Sequence, residues 1–274
     1  MDKHGAIEGL ARVGYAARGI VYVAVGAFAM MAARSGGETV DTRGAVAHLL
    51  DQPFGRVLMW VVAIGLIAHA AWRVVQALAD PDGHGDDAKG RAIRLGLVGS
   101  AAFNGLLGLF ALSLVSPLDG GAGDGGGDFV SRLLGFEQSR WLLWAIALVP
   151  LVVGIAHFVK AWRASFERYF QADEATMRYV RPVSRIGLVA RGLVFVIIAA
   201  LLAFGGAHYS PSDPPGLKDA LDALRGLPAG PTLLALMGAG LVAFALYSFA
   251  EALWRRIDPS AVDRALPGAE RFAR

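Results

Sequence analysis

The sequence predicts an all-α membrane protein in which six transmembrane helices form three tandem two-helix repeats, with short interfacial helices in the outer loops. Apolar residues make up 55% of the 274 residues and charged residues only 18%, a smaller charged share than a soluble domain carries. Six segments are long and apolar enough to cross a bilayer. An Arg-rich opening also recurs three times, as ARVGYAARGIVY from Ala11, IRLGLVGSAAFN from Ile93 and SRIGLVARGLVF from Ser184.

The bounds of the predicted spans follow from the length of each apolar segment and the positions of the charged residues. Crossing a hydrocarbon core of about 30 Å takes about 20 helical residues. The uncharged core of the first span, Gly19 to Ala33, has only 15 residues, so we expect the Arg18 side chain to reach the headgroups. Pro150 lies where the repeat register slips, which predicts a fourth span that is kinked and longer by about a turn. The predicted spans are roughly Arg12–Ala33, Gly55–Ala77, Arg94–Val115, Trp141–Ala164, Arg185–Gly205 and Pro231–Leu253.

The outer loops each carry a short amphipathic stretch. These stretches read AVAHLLDQPFG from Ala45, FVSRLLGFEQS from Phe129 and ALDALRGLPAG from Ala220. We expect each to form a short helix that lies in the membrane interface with its apolar side towards the lipid. In the first and third loops, Pro and Gly then end the surface helix and turn the chain into the next span.

The chain is predicted to be a single integral membrane domain, 1–274, with repeats at 8–80, 91–170 and 182–258. Repeats one and three register cleanly. Repeat two diverges, with Ser100 where the other copies have Arg18 and Arg191.

These residues resemble a bacterial family catalogued as domain of unknown function 1206. The resemblance lies in the RxGYxARG-like opening and in DTRGAVAHLLDQPFGRVLMWVVAIGLIAHAAWR, which runs from Asp41 to Arg73. It covers nearly the whole chain and is most specific in repeats one and three. It implies three two-helix repeats in a bacterial plasma (inner) membrane. It implies no activity, because the family name carries none.

The basic residues predict the orientation. An even number of spans puts both termini on one side of the membrane, and that side carries 19 of the 26 Lys and Arg residues. Because cytoplasmic loops are enriched in Lys and Arg, we expect both termini in the cytoplasm.

Polar side chains inside the spans form the candidate site, because an ionisable group at the centre of a bilayer costs about 2.5–3.5 kcal/mol. We expect Arg18 and Arg191 to line a cytoplasm-facing vestibule for an anionic group such as a carboxylate or a lipid phosphate. Arg191 and Glu251 would form the ion pair that gates it. The candidate ligand-binding residues are Arg18, Tyr22, Ser100, Asn104, Arg191, His69, His157 and Glu251.

The same residues also admit a structural interpretation. In it, the Arg side chains reach lipid phosphates while the His, Asn and Glu side chains bond to neighbouring helices. Alternatively, His69 and His157 would be the two axial ligands of a membrane haem, although Phe244 stands at the matching position of repeat three. Eight glycines are expected to let helices pack closely: Gly14, Gly19, Gly26, Gly99, Gly105, Gly108, Gly187 and Gly192.

Catalytic residues, metal ligands and cofactors are not predicted. The H-E-x-x-H, G-x-S-x-G and P-loop patterns are absent from the sequence, and the chain contains no Cys. The net charge of +3 is too small to indicate a nucleic-acid partner.

The sequence therefore predicts a non-enzymatic membrane protein with membrane lipids as partners. Its expected role is to bind or transport a small amphipathic or anionic molecule or lipid. The alternatives are a structural or assembly factor that packs against other membrane proteins, and a membrane haem or redox protein. The sequence leaves an oligomer open.

Overall fold

A computed structural model describes residues 3–35, 39–115, 139–205 and 217–258. Apart from one backbone bridge between Phe170 and Arg255, these residues contain no strand, which confirms the predicted all-α class. A 3-10 turn, Glu167–Tyr169, follows the fifth helix. The helices are α1 (Lys3–Ser35), α2 (Thr42–His48), α3 (Gly55–Ala79), α4 (Ala88–Val115), α5 (Ser139–Trp162), α6 (Glu174–Gly205), α7 (Leu217–Arg225) and α8 (Gly230–Trp254).

Several long apolar helices indicate a membrane protein. Among the described residues, five helices are long and apolar enough to cross a bilayer, namely α1, α3, α4, α6 and α8. Large apolar side chains cover their outer faces: Leu95 is 72% exposed and Val57 is 64% exposed. Contiguous exposed apolar surface of this kind suits lipid rather than water. Helix α5 has 24 described residues and contains Pro150; because the described residues begin again at Ser139, the longer fourth span stays a prediction.

The long helices form an arc. Neighbours pack in the order α4, α3, α1, α8, α6, α5, and each helix packs extensively on the next. Helices α4 and α5, at the two ends of this order, make no extensive contact within the described part of the chain. The arc is therefore centred on α1 and α8 and stays open between α4 and α5.

The two short helices turn their apolar sides towards the protein, not towards the lipid as expected. Ala45 and Val46 of α2, and Ala220 and Leu221 of α7, are completely buried. Helix α2 packs on α1 and α4, and α7 packs on α6 and α8. These side chains pack on apolar surface at the outer ends of the long helices. This contact shields them from water to the same extent as contact with lipid. The stretch from Phe129 lies outside the described residues except for Ser139, the first residue of α5.

Matching turns connect the short helices to the spans that follow. Phe54 and Ala229, just before α3 and α8, both have a positive φ of 61°. The next residues are Gly55 and Gly230, where an added Cβ would lie 2.1 Å and 1.9 Å from a carbonyl oxygen of the preceding short segment. Only glycine allows so close a backbone approach.

One end of the arc is rich in basic side chains, and we call it the basic end. There α1, α4 and α6 begin, and α3, α5 and α8 end. Arg12 of α1 donates hydrogen bonds to the carbonyl oxygens of Ala252 and Leu253, at 2.6 Å and 2.7 Å. Arg94 of α4 makes the equivalent bonds to two carbonyl oxygens at the end of α3, at 2.6 Å and 3.1 Å. Each guanidinium thus satisfies the exposed carbonyls of a neighbouring helix C-terminus.

Candidate functional site

A charge-balanced network lies buried near the basic end, and we call it the buried ion network. Arg18 is 6% exposed; it donates to the Glu251 carboxylate, and its Nε donates to Ser248 Oγ at 3.1 Å. Arg255 donates from Nη1 to the other Glu251 oxygen at 2.7 Å. Its Nη2 donates to both oxygens of Asp82, at 3.0 Å and 2.9 Å. Two cations thus alternate with two anions.

Aromatic rings surround this network. The Arg18 guanidinium carbon lies 5.2 Å from the ring centre of Tyr15 and 5.3 Å from that of Phe244. The Arg255 guanidinium carbon lies 4.5 Å from the ring centre of Tyr169. Cation–π attraction adds to the ion pairs when both partners are shielded from water. Arg18 therefore does not extend to the headgroups as the sequence suggested, because its charge is neutralised inside the protein.

The predicted ion pair between Arg191 and Glu251 is wrong. Helix α1, which carries Arg18, packs directly against α8, which carries Glu251. Both carboxylate oxygens of Glu251 are occupied, one by Arg18 and one by Arg255. Arg191 lies on α6 and contacts aromatic rings instead of a carboxylate.

Arg191 sits in a cage of three aromatic rings. Its guanidinium carbon lies 4.8 Å from the ring centre of Tyr22, 5.3 Å from that of Phe195 and 4.5 Å from that of Phe244. Its Nε and Nη1 atoms are buried and have no hydrogen-bond partner. Since the rings present only their π faces to it, two charged donors are left without an acceptor.

Positive charge exceeds negative charge around Arg191. Glu251 attracts four cations, and Arg191 experiences repulsion from Arg18 and Arg73. Lys160 donates from Nζ to the Tyr247 hydroxyl at 2.7 Å and therefore has a neutral partner. In the described part of the chain, the clustered cations are Arg18, Arg73, Lys160, Arg191 and Arg255, and the clustered carboxylates are Glu251 and Asp82.

The two histidines are held by different partners. His69 is completely buried, and its Nε2 accepts a hydrogen bond from Arg73 Nε at 3.2 Å. His157 is half-buried, and its Nδ1 donates to the Val153 carbonyl oxygen at 2.8 Å. Arg73 would have to move before His69 could offer Nε2 to a haem iron.

Ser100 and Asn104 bond to each other within α4. Asn104 Nδ2 donates to the Ser100 carbonyl oxygen at 2.7 Å. No hydrogen bond or ion pair among the described residues joins either of them to Arg18 or Arg191. The structure thus brings Arg18, Tyr22, Arg191 and Glu251 together and leaves Ser100 and Asn104 at one end of the arc.

The sequence reasoning missed Arg255 and Asp82. Arg255 follows Glu251 by four residues, a spacing that places the two side chains on one helix face and points to an ion pair. Asp82 lies in the hydrophilic loop between α3 and α4. No local signal in that loop indicates a partner at the far end of the chain.

Asp80 fixes the loop that presents Asp82. Its carboxylate accepts hydrogen bonds from the backbone N–H groups of His84 and Gly85, at 2.9 Å and 2.8 Å. Partial burial raises the pKa of Asp80, but these hydrogen bonds outweigh the burial and lower the pKa below its usual value. The carboxylate therefore stays ionised and holds the loop in place.

Comparison with known proteins agrees with the resemblance seen in the repeated openings. A relative from Bacillus subtilis (strain 168), "Uncharacterized protein YxxB", is 29% identical over 257 residues, which is 92% of each chain. No solved structure matches the chain. The model of one family matches three times, at residues 13–80, 95–164 and 186–255. Since these matches cover most of the sequence, the chain belongs to the family described as Domain of Unknown Function (DUF1206).

Proposed function

We propose that the protein binds a small amphipathic anion, a carboxylate or phosphate head on an apolar body, at Arg191. The observation that carries this proposal is the pair of buried Arg191 nitrogens that have no hydrogen-bond partner. An unsatisfied buried donor costs about 1–3 kcal/mol, and a charged one costs more. Arg18, at the matching position of repeat one, meets a carboxylate in the protein itself.

The chemistry around Arg191 fits an oxyanion. A guanidinium offers its donors in a plane that matches the two oxygens of a carboxylate or phosphate. A bound anion would also offset the excess of cations, five against two carboxylates in the described residues. The rings of Tyr22, Phe195 and Phe244 offer an apolar surface to the rest of the ligand.

Access from the lipid supports an amphipathic ligand. Arg191, His157 and Lys160 are half-buried rather than sealed. They lie on the two helices at the α5 end of the arc, which is open towards α4. An amphiphile in the bilayer would enter there with its head towards the cations and its chain in the hydrocarbon.

This proposal rests on a six-span architecture of three two-helix repeats, with both termini in the cytoplasm of a bacterial cell. Helix α5 supplies the sixth span in this arrangement. Matching glycine contacts support it: a Cβ at Gly14 would lie 2.6 Å from the backbone of His69, and one at Gly187 would lie 2.4 Å from the backbone of Phe244. These two contacts occupy the same position in repeats one and three.

A pair of matched variants, Arg191→Gln and Arg18→Gln, tests the proposal. Thermal unfolding of the purified protein in detergent would be measured with decanoate, octyl phosphate and inorganic phosphate, because a ligand that binds only the folded state raises the melting temperature. We expect Arg191→Gln to raise the melting temperature without ligand, since it removes an unpaired buried charge, and to abolish the rise caused by the anions. Arg18→Gln should lower the melting temperature and keep a ligand-induced rise.

The ligand series separates the sources of the anion. Stabilisation by decanoate and octyl phosphate, but not by inorganic phosphate, indicates an amphiphile; stabilisation by all three indicates a free oxyanion. A wild-type protein that no anion stabilises would contradict the proposal. It would favour the alternative of an assembly factor, for which Gly96 and Gly99 of α4 offer a free helix surface with nothing within 4 Å of an added Cβ.

A further inference from the structure

The junctions between successive repeats can be aligned by their glycine contacts. At the junction of α8 and α1, a Cβ at Gly19 would lie 2.6 Å from the ring of Phe249. At the junction of α5 and α6, a Cβ at Gly192 would lie 2.9 Å from the ring of Phe158. Since Gly192 is the repeat counterpart of Gly19, Phe158 corresponds to Phe249. Three and four residues further on, Ala161 and Trp162 correspond to Ala252 and Leu253.

This alignment shows that one junction differs from the others at the basic end. Arg12 closes the α8–α1 junction by donating to the carbonyl oxygens of Ala252 and Leu253, and Arg94 closes the α3–α4 junction in the same way. Their counterpart Arg185 is exposed and donates no hydrogen bond within the part of the chain that the structure describes. A groove of about 670 Å³ lies there instead, lined by Arg185, Ala161 and Trp162 among others.

We propose that this groove between α5 and α6 binds the headgroup and upper acyl chain of an anionic phospholipid from the surrounding membrane. Two guanidinium groups, of Arg163 and Arg185, line it, and none of its lining residues is acidic. Both side chains are exposed, so a phosphate reaches them without displacing a protein partner.

The remaining lining suits an acyl chain. Trp162 is 87% exposed and Val189 is 46% exposed, and both line the groove beside Phe158 and Val159. Exposed Trp side chains near helix ends are typical of the headgroup region of a bilayer. The groove therefore presents cations at headgroup depth and apolar surface directly below them, which is the polarity of a phospholipid.

The double variant Arg163→Gln/Arg185→Gln tests this site, with Arg94→Gln as the matched control from a closed junction. Delipidated protein would be titrated in detergent with dioctanoyl phosphatidylglycerol, dioctanoyl phosphatidylcholine and inorganic phosphate, and bound lipid counted by native mass spectrometry. Losing two charge-assisted contacts should weaken phosphatidylglycerol binding about tenfold or more. Arg94→Gln should lower thermal stability and leave this affinity unchanged.

Two further variants locate the site. Val189→Trp fills the groove while keeping both guanidinium groups, and it should displace phosphatidylglycerol as the double variant does. Arg191→Gln should leave unchanged the phosphatidylglycerol binding that the double variant removes, because Arg191 does not line the groove. Equal binding of phosphatidylcholine, binding of phosphate alone, or unchanged affinity in the double variant would each overturn the proposal.

Discussion

Glu251 holds two guanidinium groups at once, and this makes it the most sensitive residue of the buried ion network. Replacing Glu251 with Gln leaves Arg18 without an anionic partner in a water-poor interior, while Arg255 keeps only its ion pair with Asp82. Removing one partner of a buried ion pair destabilises a protein by about 3–5 kcal/mol. Arg18→Met should cost less, because Glu251 keeps its contact with Arg255. Thermal unfolding of both variants in detergent checks this order, and a Glu251→Gln protein as stable as Arg18→Met would contradict it.

At the residue scale, the sequence indicated the depth of the polar side chains but not their partners. Helical spacing placed Tyr15, Arg18 and Tyr22 on one face of α1, and all three are buried. The choice of Arg18 over Arg191 as the partner of Glu251 depends on which helix packs against α8. Helix order in space is a tertiary property, and equal spacing in two repeats gives both Arg residues the same local signal.

At the scale of elements, the positions of the helices followed from hydrophobic length, while their contacts did not. Helices α1, α4 and α6 begin well before the predicted spans, because Arg and Lys continue a helix beyond the hydrocarbon as readily as apolar residues do. The short helices α2 and α7 were predicted correctly as amphipathic. Their apolar sides face protein because periodicity indicates that a face is buried and does not indicate what buries it.

Gly14 and Gly187 allow the two helices of repeats one and three to touch backbone to backbone. An added Cβ would meet main-chain atoms, which cannot rotate away, so Gly14→Ala and Gly187→Ala should each destabilise the protein by about 1–3 kcal/mol. Gly99→Ala is the control: nothing lies within 4 Å of its added Cβ, so the higher helix propensity of Ala should leave stability unchanged or slightly higher.

Thermal unfolding in detergent measures all three glycine variants. A loss of stability in Gly99→Ala equal to that in Gly14→Ala would contradict the close-packing explanation, because Gly99 has no neighbour for an added Cβ to meet. The sequence reasoning included Gly99 among the packing glycines, and the structure shows that this assignment was wrong. A glycine on the outer face of a helix has the same sequence signature as one at an interface.

At the scale of the whole molecule, the distribution of basic residues predicts that residues 80–88 and both termini face the cytoplasm. The chain contains no Cys, so single-Cys variants label without background. In intact cells, a membrane-impermeant maleimide should label Gln52→Cys and not Lys89→Cys, since both positions are exposed but lie at opposite ends of the arc. Inside-out vesicles should reverse this result. Labelling of both variants from the same side would contradict the crossing of the membrane by α3.

The openness of the arc could not be predicted from the sequence. The threefold repetition suggests that the three junctions between repeats are equivalent and that their helices pack equally closely. Helices α4 and α5 belong to the divergent second copy, and their separation depends on how that copy packs against its neighbours. Divergence is visible in the sequence, but its spatial effect is not.

The groove at the α5–α6 junction, where Arg185 does not bond to a neighbouring helix end, determines how many lipids the protein should bind. Three identical copies would offer three equal sites, and a titration would saturate at three equivalents with one affinity. Because Arg12 and Arg94 close their junctions and Arg185 does not, the described residues leave one such groove, between α5 and α6. Phospholipid binding at the proposed groove should therefore saturate at one equivalent, because the repeats copy the helices and not the groove.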